Sequence, residues 1–261
     1  RIGLVLNMST LYPATNAPAD VQAAELADAV LNRWFADPIL VGSFPAEAER
    51  LYRSCGILPV IDAHDRRTLF STGCDFLGVN YYYPHHASAA APSTDFHLNT
   101  SGDRHEDCRF SIAGLFQFVK NPHGRYTDWG WEIFPDGLYD LLMRAHHCQR
   151  GLPLFVTENG IGLQDTLVDG EVDDSARIAF VREHLVAIHR AITDGANVGG
   201  YYMWSLMDNF SWINGYKKRY GFLHVDRQTL ARTRKKSSFW FEAIARTNCL
   251  KTNENSTSPI A

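Results

Sequence analysis

Glu158 is the residue of this sequence best placed to carry chemistry. It lies in residues 156–160 (VTENG), where a short apolar run that predicts a buried strand comes to its end. The C-terminal ends of strands hold the catalytic groups of α/β barrels, and a carboxylate there can serve as nucleophile, general acid or base, or metal ligand. A helix N-cap or an ordinary loop charge explains Glu-Asn-Gly equally well.

Asn80 and Tyr82 are the second candidate pair. They occupy alternate positions of residues 78–84 (GVNYYYP), at the end of another predicted strand, and therefore share one face. A phenol and an amide on that face can hold a carboxylate in one rotamer and keep it ionised. The alternative is an aromatic strand end buried in the core.

A third segment, residues 201–226, places many flat aromatic faces beside polar groups, as a sugar site requires. Its aromatic residues include Trp204, Phe210, Trp212, Tyr216 and Tyr220. Lys217, Lys218 and Arg219 follow one another there and predict either a solvated turn or an anion site.

A metal-dependent hydrolase is a weaker alternative. It would use the adjacent histidines His85 and His86, or His146 and His147, but no carboxylate has ligand spacing to either pair. We therefore expect no metal and no other cofactor.

The elements that position these residues alternate between strand and helix. Strands are predicted over residues 1–7, 74–83, 153–161 and 198–205, and helices from Pro18 onward and over residues 46–54, 135–147, 173–194 and 237–246. This order predicts parallel strands with helical crossovers, an α/β protein of about four βα units.

Residues 85–128 are expected to be irregular, and a polar tail over 249–261 is expected to be disordered. The domain is therefore placed at 1–248.

Composition narrows the class of protein. The 261 residues are 45% apolar, so the chain can bury a large core, and the net charge of −4 disfavours a nucleic-acid binder. No apolar run is long enough to span a membrane. Five scattered cysteines without a Cys-x-x-Cys pair favour a reducing compartment, so a cytoplasmic location is expected.

Four collinear segments resemble the C-terminal half of a family 1 glycoside hydrolase. They are residues 75–83 (DFLGVNYYY), 127–142 (TDWGWEIFPDGLYDLL), 156–162 (VTENGIG) and 204–226 (WSLMDNFSWINGYKKRYGFLHVD). The resemblance implies a (β/α)8 TIM barrel, of which this chain supplies about the last four βα units, and retaining hydrolysis of β-glycosides by two glutamates without a metal.

Carried over residue by residue, the resemblance assigns roles to the candidates. It implies that Glu158 is the nucleophile, that Tyr82 donates a hydrogen bond to it, and that Asn80 is the family's strand-end asparagine. Trp204 matches the tryptophan under the glycone ring, and Trp131 matches the aromatic side chain near the leaving group.

Ser211 marks a departure from ordinary β-glucosidases of the family, which carry a sugar-binding glutamate at that position. Ser211, Lys218 and Tyr220 resemble the phosphate pocket of 6-phospho-β-glycosidases. The exchange removes a negative charge and supplies donors for a dianion, which favours a 6-phosphorylated β-glycoside as substrate. Trp212 resembles the 6-phospho-β-galactosidase side of the family, although gluco or dual preference stays open.

The second glutamate is not found. The family's acid/base belongs to an Asn-Glu-Pro motif on the fourth strand, and the sequence contains no such motif. The chain is therefore expected to begin at the fifth strand and to need an N-terminal half-barrel as its partner. A fragment, one half of a split enzyme, and a non-catalytic carbohydrate-binding remnant are the three explanations; the first is favoured.

Overall fold

The computed structural model describes residues 1–261 apart from 72, 90, 104, 105, 107, 150, 254, 255, 260 and 261. The strands are β1 (Gly3–Asn7), β2 (Leu11–Pro13), β3 (Phe76–Asn80), β4 (His85–Ser88), β5 (Asp95–His97), β6 (Arg109–Ile112), β7 (Phe116–Val119), β8 (Leu154–Asn159), β9 (Val198–Met203), β10 (Leu223–Val225), β11 (Arg232–Arg234), β12 (Cys249–Asn253) and β13 (Ser256–Pro259). The α-helices are α1 (Pro18–Asp28), α2 (Trp34–Leu40), α3 (Ala46–Ser54), α4 (Ala63–Ser71), α5 (Pro135–Cys148), α6 (Ser175–Thr193) and α7 (Lys236–Thr247), and a π-helical turn, Ala29–Arg33, joins α1 to α2.

The main sheet is parallel, with strand order β1–β3–β8–β9. Helices lie between its successive strands and after the last one, which confirms the prediction of four βα units. Because the strands are parallel, their C-terminal ends meet at one edge, and Asn80 and Glu158 occupy paired positions there. The core packs α5 and α6 against the buried faces of β3 and β8, whose short apolar runs have the composition expected of strands covered on both sides.

A second sheet, of order β2–β4–β7–β6–β5, is built largely from the stretch that the sequence analysis expects to be irregular. That expectation is wrong for β4 to β7. Phe110 and Ile112 in β6, and Phe116 and Phe118 in β7, alternate with polar residues as a half-buried strand requires, but each run is only four residues long. Such short runs are a weak local signal for a strand. Each strand is stabilised by its pairing with the neighbouring strands of the sheet.

Two smaller differences concern the helices and the chain end. Helix α4 forms where the sequence predicts only a polar connection. Strands β12 and β13 pair antiparallel beyond α7, where no element is expected. The prediction of a disordered tail in solution stays a prediction.

None of the helices in the described residues combines the length and hydropathy needed to cross a membrane.

Candidate functional site

Glu158 and Tyr82 form the centre of the site. The Tyr82 hydroxyl donates a hydrogen bond of 2.6 Å to Oε2 of Glu158. Burial, together with the neighbouring carboxylate, raises the pKa of Tyr82 above its ordinary value, so the phenol stays protonated and keeps donating. Glu158 is half-buried and forms no ion pair with any residue that the structure describes. The carboxylate is therefore oriented by a neutral donor and not neutralised by a cation.

Asn80 lies beside this pair without bonding to the carboxylate. Its side-chain oxygen accepts a hydrogen bond of 2.6 Å from the Thr157 hydroxyl, and within the described chain its amide nitrogen has no partner. That nitrogen is a donor available to a ligand. Thr157 could not be singled out from the sequence, since a threonine in a strand carries no distinguishing signal.

Asn159 fixes the ends of three strands. It is fully buried, donates to the Tyr81 carbonyl at 2.8 Å and accepts from the Tyr201 hydroxyl at 2.9 Å. Its own carbonyl accepts the Trp204 amide at 2.8 Å. A buried amide with both side-chain ends paired holds one rotamer, so Asn159 positions β8 against its two neighbours. Only its place beside Glu158 in the sequence hinted at this role.

Trp131 connects the carboxylate to the other end of the site. Its ring lies 5.6 Å from the Tyr82 ring and is stacked on Tyr83 at 4.8 Å, both measured between centroids. The Tyr220 ring is 6.4 Å away on the same measure. One indole thus touches both the Glu158 side and the basic segment.

Lys218 places an ammonium group against two indoles. Its Nζ lies 4.0 Å from the centroid of Trp131 and 5.1 Å from that of Trp129, distances typical of cation–π contacts. The side chain is 3% exposed, and Nζ has no hydrogen-bond or ion-pair partner among the described residues. Desolvation lowers the pKa of Lys218 to about 7. A buried cation without a partner anion is suited to receive an anion from a ligand.

Glycines allow the close approach of these side chains. A Cβ at Gly162 would lie 3.1 Å from both the Lys218 side chain and the Tyr220 ring. At Gly160 a Cβ would lie 2.0 Å from the Trp204 carbonyl oxygen, so only glycine fits between the ends of β8 and β9.

Ser211 begins a loop that is tied to the segment between β5 and β6. Ser211 and Gly215 exchange two backbone hydrogen bonds of 2.7 and 2.8 Å. Asn214 donates to the Asn99 carbonyl at 3.3 Å, and Lys217 donates to the Thr100 carbonyl at the same distance. The loop is thus anchored at its tip, while Ser211 remains half-buried.

The predicted residues are not all brought into contact. Glu158, Tyr82, Trp131, Lys218 and Tyr220 form one continuous series of contacts. By contrast, Trp212 is 95% exposed and packs edge-on against Phe210, 5.9 Å between centroids.

Trp204 and Ser211 touch neither end of the site among the described contacts. Trp204, at the end of β9, is 37% exposed. Within the described residues, neither Ser211 nor Trp204 shares a side-chain hydrogen bond or ring contact with Glu158 or Lys218.

Trp129 is the residue that the sequence analysis missed at the basic end. It is 1% exposed, and it stands two positions before Trp131 in TDWGWE, where a turn at Gly130 (φ 74°) separates the two indoles. That repetition was the available signal.

The histidine pairs occupy separate environments. His85 stacks on Phe118 at 4.0 Å, and burial lowers its pKa to about 4, whereas the His86 Nε2 lies 2.9 Å from Glu132. His146 and His147 lie in the last turn of α5. No group of three potential metal ligands comes together in the residues that the structure describes.

The sequence profile described as Glycosyl hydrolase family 1 matches residues 1–250. The chain is 38% identical to a 6-phospho-beta-galactosidase of Clostridium acetobutylicum over 94% of this chain and 53% of that protein. It is 39% identical to a 6-phospho-beta-glucosidase of Bacillus subtilis, over 94% of this chain and 52% of that protein. The chain thus spans about half the length of these curated relatives.

Solved structures of family 1 glycoside hydrolases are also similar to this chain over about half of their length. A family 1 glycoside hydrolase of Thermotoga maritima matches with a TM-score of 0.82 and 30% identity, over 96% of this chain and 52% of that one. The likeness confirms the predicted fold class, with this chain corresponding to part of a barrel.

Proposed function

The chain belongs to glycosyl hydrolase family 1, and on that premise we propose that it supplies the nucleophile-bearing half of a retaining β-glycosidase acting on 6-phosphorylated sugars. In this proposal Glu158 attacks the anomeric carbon and forms a covalent glycosyl intermediate, which water then hydrolyses. Tyr82 orients the attacking carboxylate through its 2.6 Å hydrogen bond. Trp131 and Trp204 supply flat faces against which sugar rings stack.

The leaving group needs an acid that this chain does not carry. Retaining glycosidases place two carboxyl groups about 5–5.5 Å apart, one as nucleophile and one as acid/base. No Asn-Glu-Pro motif occurs in the sequence. We propose that an N-terminal half-barrel contributes the acid/base, and that the 261-residue chain alone does not turn over unactivated glycosides.

Lys218, 3% exposed and with no partner for its ammonium among the described residues, is the observation that carries the substrate proposal. A neutral hydroxyl gains little from such a group, whereas a phosphate dianion pairs with it and relieves its desolvation. Tyr220 adds a hydroxyl donor, its pKa raised by burial, and Ser211 replaces a repelling carboxylate.

The sugar epimer is the open part of the proposal. The exposed Trp212 favours a 6-phospho-β-galactoside by resemblance, while relatives named for galactoside and for glucoside activity are almost equally similar to this chain. Use of both epimers fits these identities.

Two alternatives have specific support. A relative named Beta-glucosidase A, from Acetivibrio thermocellus, is 37% identical, which favours a fragment active on non-phosphorylated glycosides. A non-catalytic carbohydrate-binding remnant is favoured by the missing acid/base motif.

The cysteines described as free support a reducing compartment, so a cytoplasmic location is part of the proposal.

The test is hydrolysis of chromogenic β-glycosides, with and without a 6-phosphate, by the chain alone and after mixing with the N-terminal half of a family member. We expect no turnover by the chain alone and turnover of the phosphorylated compound in the mixture. Glu158→Gln should abolish that turnover, whereas Glu171→Gln, at an exposed turn, should leave it unchanged.

Each result separates the candidates. Ordinary turnover by the chain alone contradicts the need for a second half. Preference for the non-phosphorylated compound favours the β-glucosidase alternative, and binding without hydrolysis in the mixture favours the binding remnant.

A further inference from the structure

Arg219 separates the two side chains assigned to the phosphate. Lys218 and Tyr220 both approach Gly162, whereas the Arg219 side chain points the other way and bonds Asp208 at 2.7 Å. The backbone of Arg219 is held by two hydrogen bonds of 3.0 Å to Leu163. Alternation along an extended segment therefore couples the direction of Arg219 to that of its two neighbours.

The Arg219 side chain ends in a buried ion network. We define this network as Asp165, Asp174, Arg177, Asp208, Arg219 and Lys235, three carboxylates and three cations. The Lys235 Nζ lies 2.6 Å from Asp165 and 2.7 Å from Asp208, and its side chain is fully buried. Lys235 thus joins the loop after β8 to the loop after β9.

Arg177 and Asp208 connect the network to the backbone of residues 219–221, the segment that contains Tyr220. Arg177, also fully buried, bonds Asp165 at 2.9 Å, pairs with Asp174, and donates to the Arg219 carbonyl at 2.7 Å. Asp208 accepts the Gly221 amide at 3.0 Å. The segment is therefore held at the residue between Lys218 and Tyr220 and at the residue that follows them.

Such a network is poorly explained by stability alone. Buried ion pairs usually contribute no more to folding than apolar side chains of the same volume, because desolvation offsets their attraction. A connected set of three carboxylates and three cations does, however, fix a single arrangement of the loops that carry it.

We propose that the buried ion network positions Lys218 and Tyr220 for the 6-phosphate, with Lys235 as its central positioning residue. The proposal rests on the proposed function, since it concerns the same phosphate. Lys235 acts through Asp208 and the Arg219 segment and lies outside the set of residues assigned to the ligand.

The experiment compares the binding of galactose 6-phosphate and galactose to the full chain by calorimetry. We expect the wild-type chain to prefer the phosphorylated sugar, and Lys235→Met to reduce the ratio of the two affinities at least tenfold while affinity for galactose is unchanged. Lys236→Met is the matched control, because this neighbour is exposed and its Nζ lies 3.4 Å from the exposed Asp173. The control should keep the wild-type ratio.

Two further variants guard against loss of folding. Arg219→Met removes the network's contact with Asp208 at a more accessible position and keeps the backbone bonds to Leu163; it should also lower the ratio. Lys235→Arg keeps a cation between the two carboxylates and should restore most of the selectivity, which a purely steric role would not predict.

The outcomes are separable. If wild-type protein binds both sugars equally, the proposed function fails and this inference fails with it. If wild-type protein is selective and a folded Lys235→Met or Arg219→Met variant keeps the wild-type ratio, the inference alone is overturned. A Lys235→Arg variant as unselective as Lys235→Met would also overturn it.

Discussion

Replacing Lys218 by methionine should make the protein more stable and less able to bind phosphate at the same time. Methionine keeps the length and most of the volume of the side chain and removes the charge. A lysine whose purpose is structural would give the opposite sign for stability, so the two effects together identify a group held ready for a ligand.

The magnitude for stability follows from the environment of the ammonium. Lowering the pKa of Lys218 from 10.5 to about 7 corresponds to about 5 kcal/mol against the charged form in the folded state. This figure is the net cost of the charged form, because a pKa reflects every interaction that the ammonium makes. We therefore expect Lys218→Met to raise the free energy of unfolding by up to about 5 kcal/mol at pH 6.

The sign of the pH dependence is fixed by linkage. Above pH 7 the folded protein has released the Lys218 proton while the unfolded chain retains it until about pH 10.5. The stability deficit of the wild-type protein is therefore full below pH 7, shrinks as the pH rises, and is absent above pH 10.5. The advantage of Lys218→Met should decline over the same window.

The loss of binding comes from one charge-assisted contact. A hydrogen bond to a charged group contributes about 1.5–3 kcal/mol, so affinity for galactose 6-phosphate should fall by about 10- to 150-fold, with galactose unaffected. Urea unfolding at pH 6 and pH 10 and calorimetric titration of both sugars measure the two effects. Lys217→Met, at the exposed neighbouring lysine, is the matched control.

Either of two results would refute this reasoning. A Lys218→Met protein less stable than wild type at pH 6 would mean that the ammonium has a partner in solution. A variant that still prefers galactose 6-phosphate by the wild-type factor would mean that the phosphate binds elsewhere.

Three further outcomes are expected. The pKa of Lys218 is about 7, and only the protonated lysine is expected to bind phosphate, so the affinity of the wild-type chain for galactose 6-phosphate should fall by about 25-fold between pH 6.5 and pH 8.5. In a calorimetric pH series, Lys218→Arg should remove this dependence. Tyr82→Phe should lower kcat/KM of the mixture with an N-terminal half by about tenfold in a chromogenic assay, the value of one hydrogen bond, and unchanged kcat/KM would show that the bond to the nucleophile is dispensable. Gly160→Ala should lower the melting temperature by several degrees, because its Cβ would lie 2.0 Å from the Trp204 carbonyl oxygen. Gly73→Ala is the control and should not lower it, since a Cβ at Gly73 would have no neighbouring atom within 4 Å. Equal melting temperatures for the two variants would contradict the close approach at Gly160.

The elements of the main sheet were predictable because their signals are local. Strands β3 and β8 are continuous apolar runs, and α6 repeats apolar residues at helical spacing, so neither needs knowledge of distant contacts. Parallel pairing then forces strand ends together, which is why Asn80 and Glu158 could be placed at one edge in advance. The resemblance of four segments added the family and the candidate roles.

The second sheet could not be recovered in the same way. Its strands are three or four residues long, and the sheet is completed by pairing between segments that are distant in sequence, as when β2 pairs with β4 across 74 positions from Leu11 to His85. Short runs carry little propensity of their own, so the composition of residues 85–128 indicated loop.

The burial and the ion pairing of the charged side chains were decided by the tertiary structure. Lys217, Lys218 and Arg219 form one basic run in the sequence, yet one is exposed, one is buried against two indoles, and one enters an ion network. The sequence determined which groups are available and on which strand ends they lie. Desolvation and pairing depend on neighbours brought together only by folding, so the fold alone decided which of these charges has no partner in the described part of the chain and is available to a ligand.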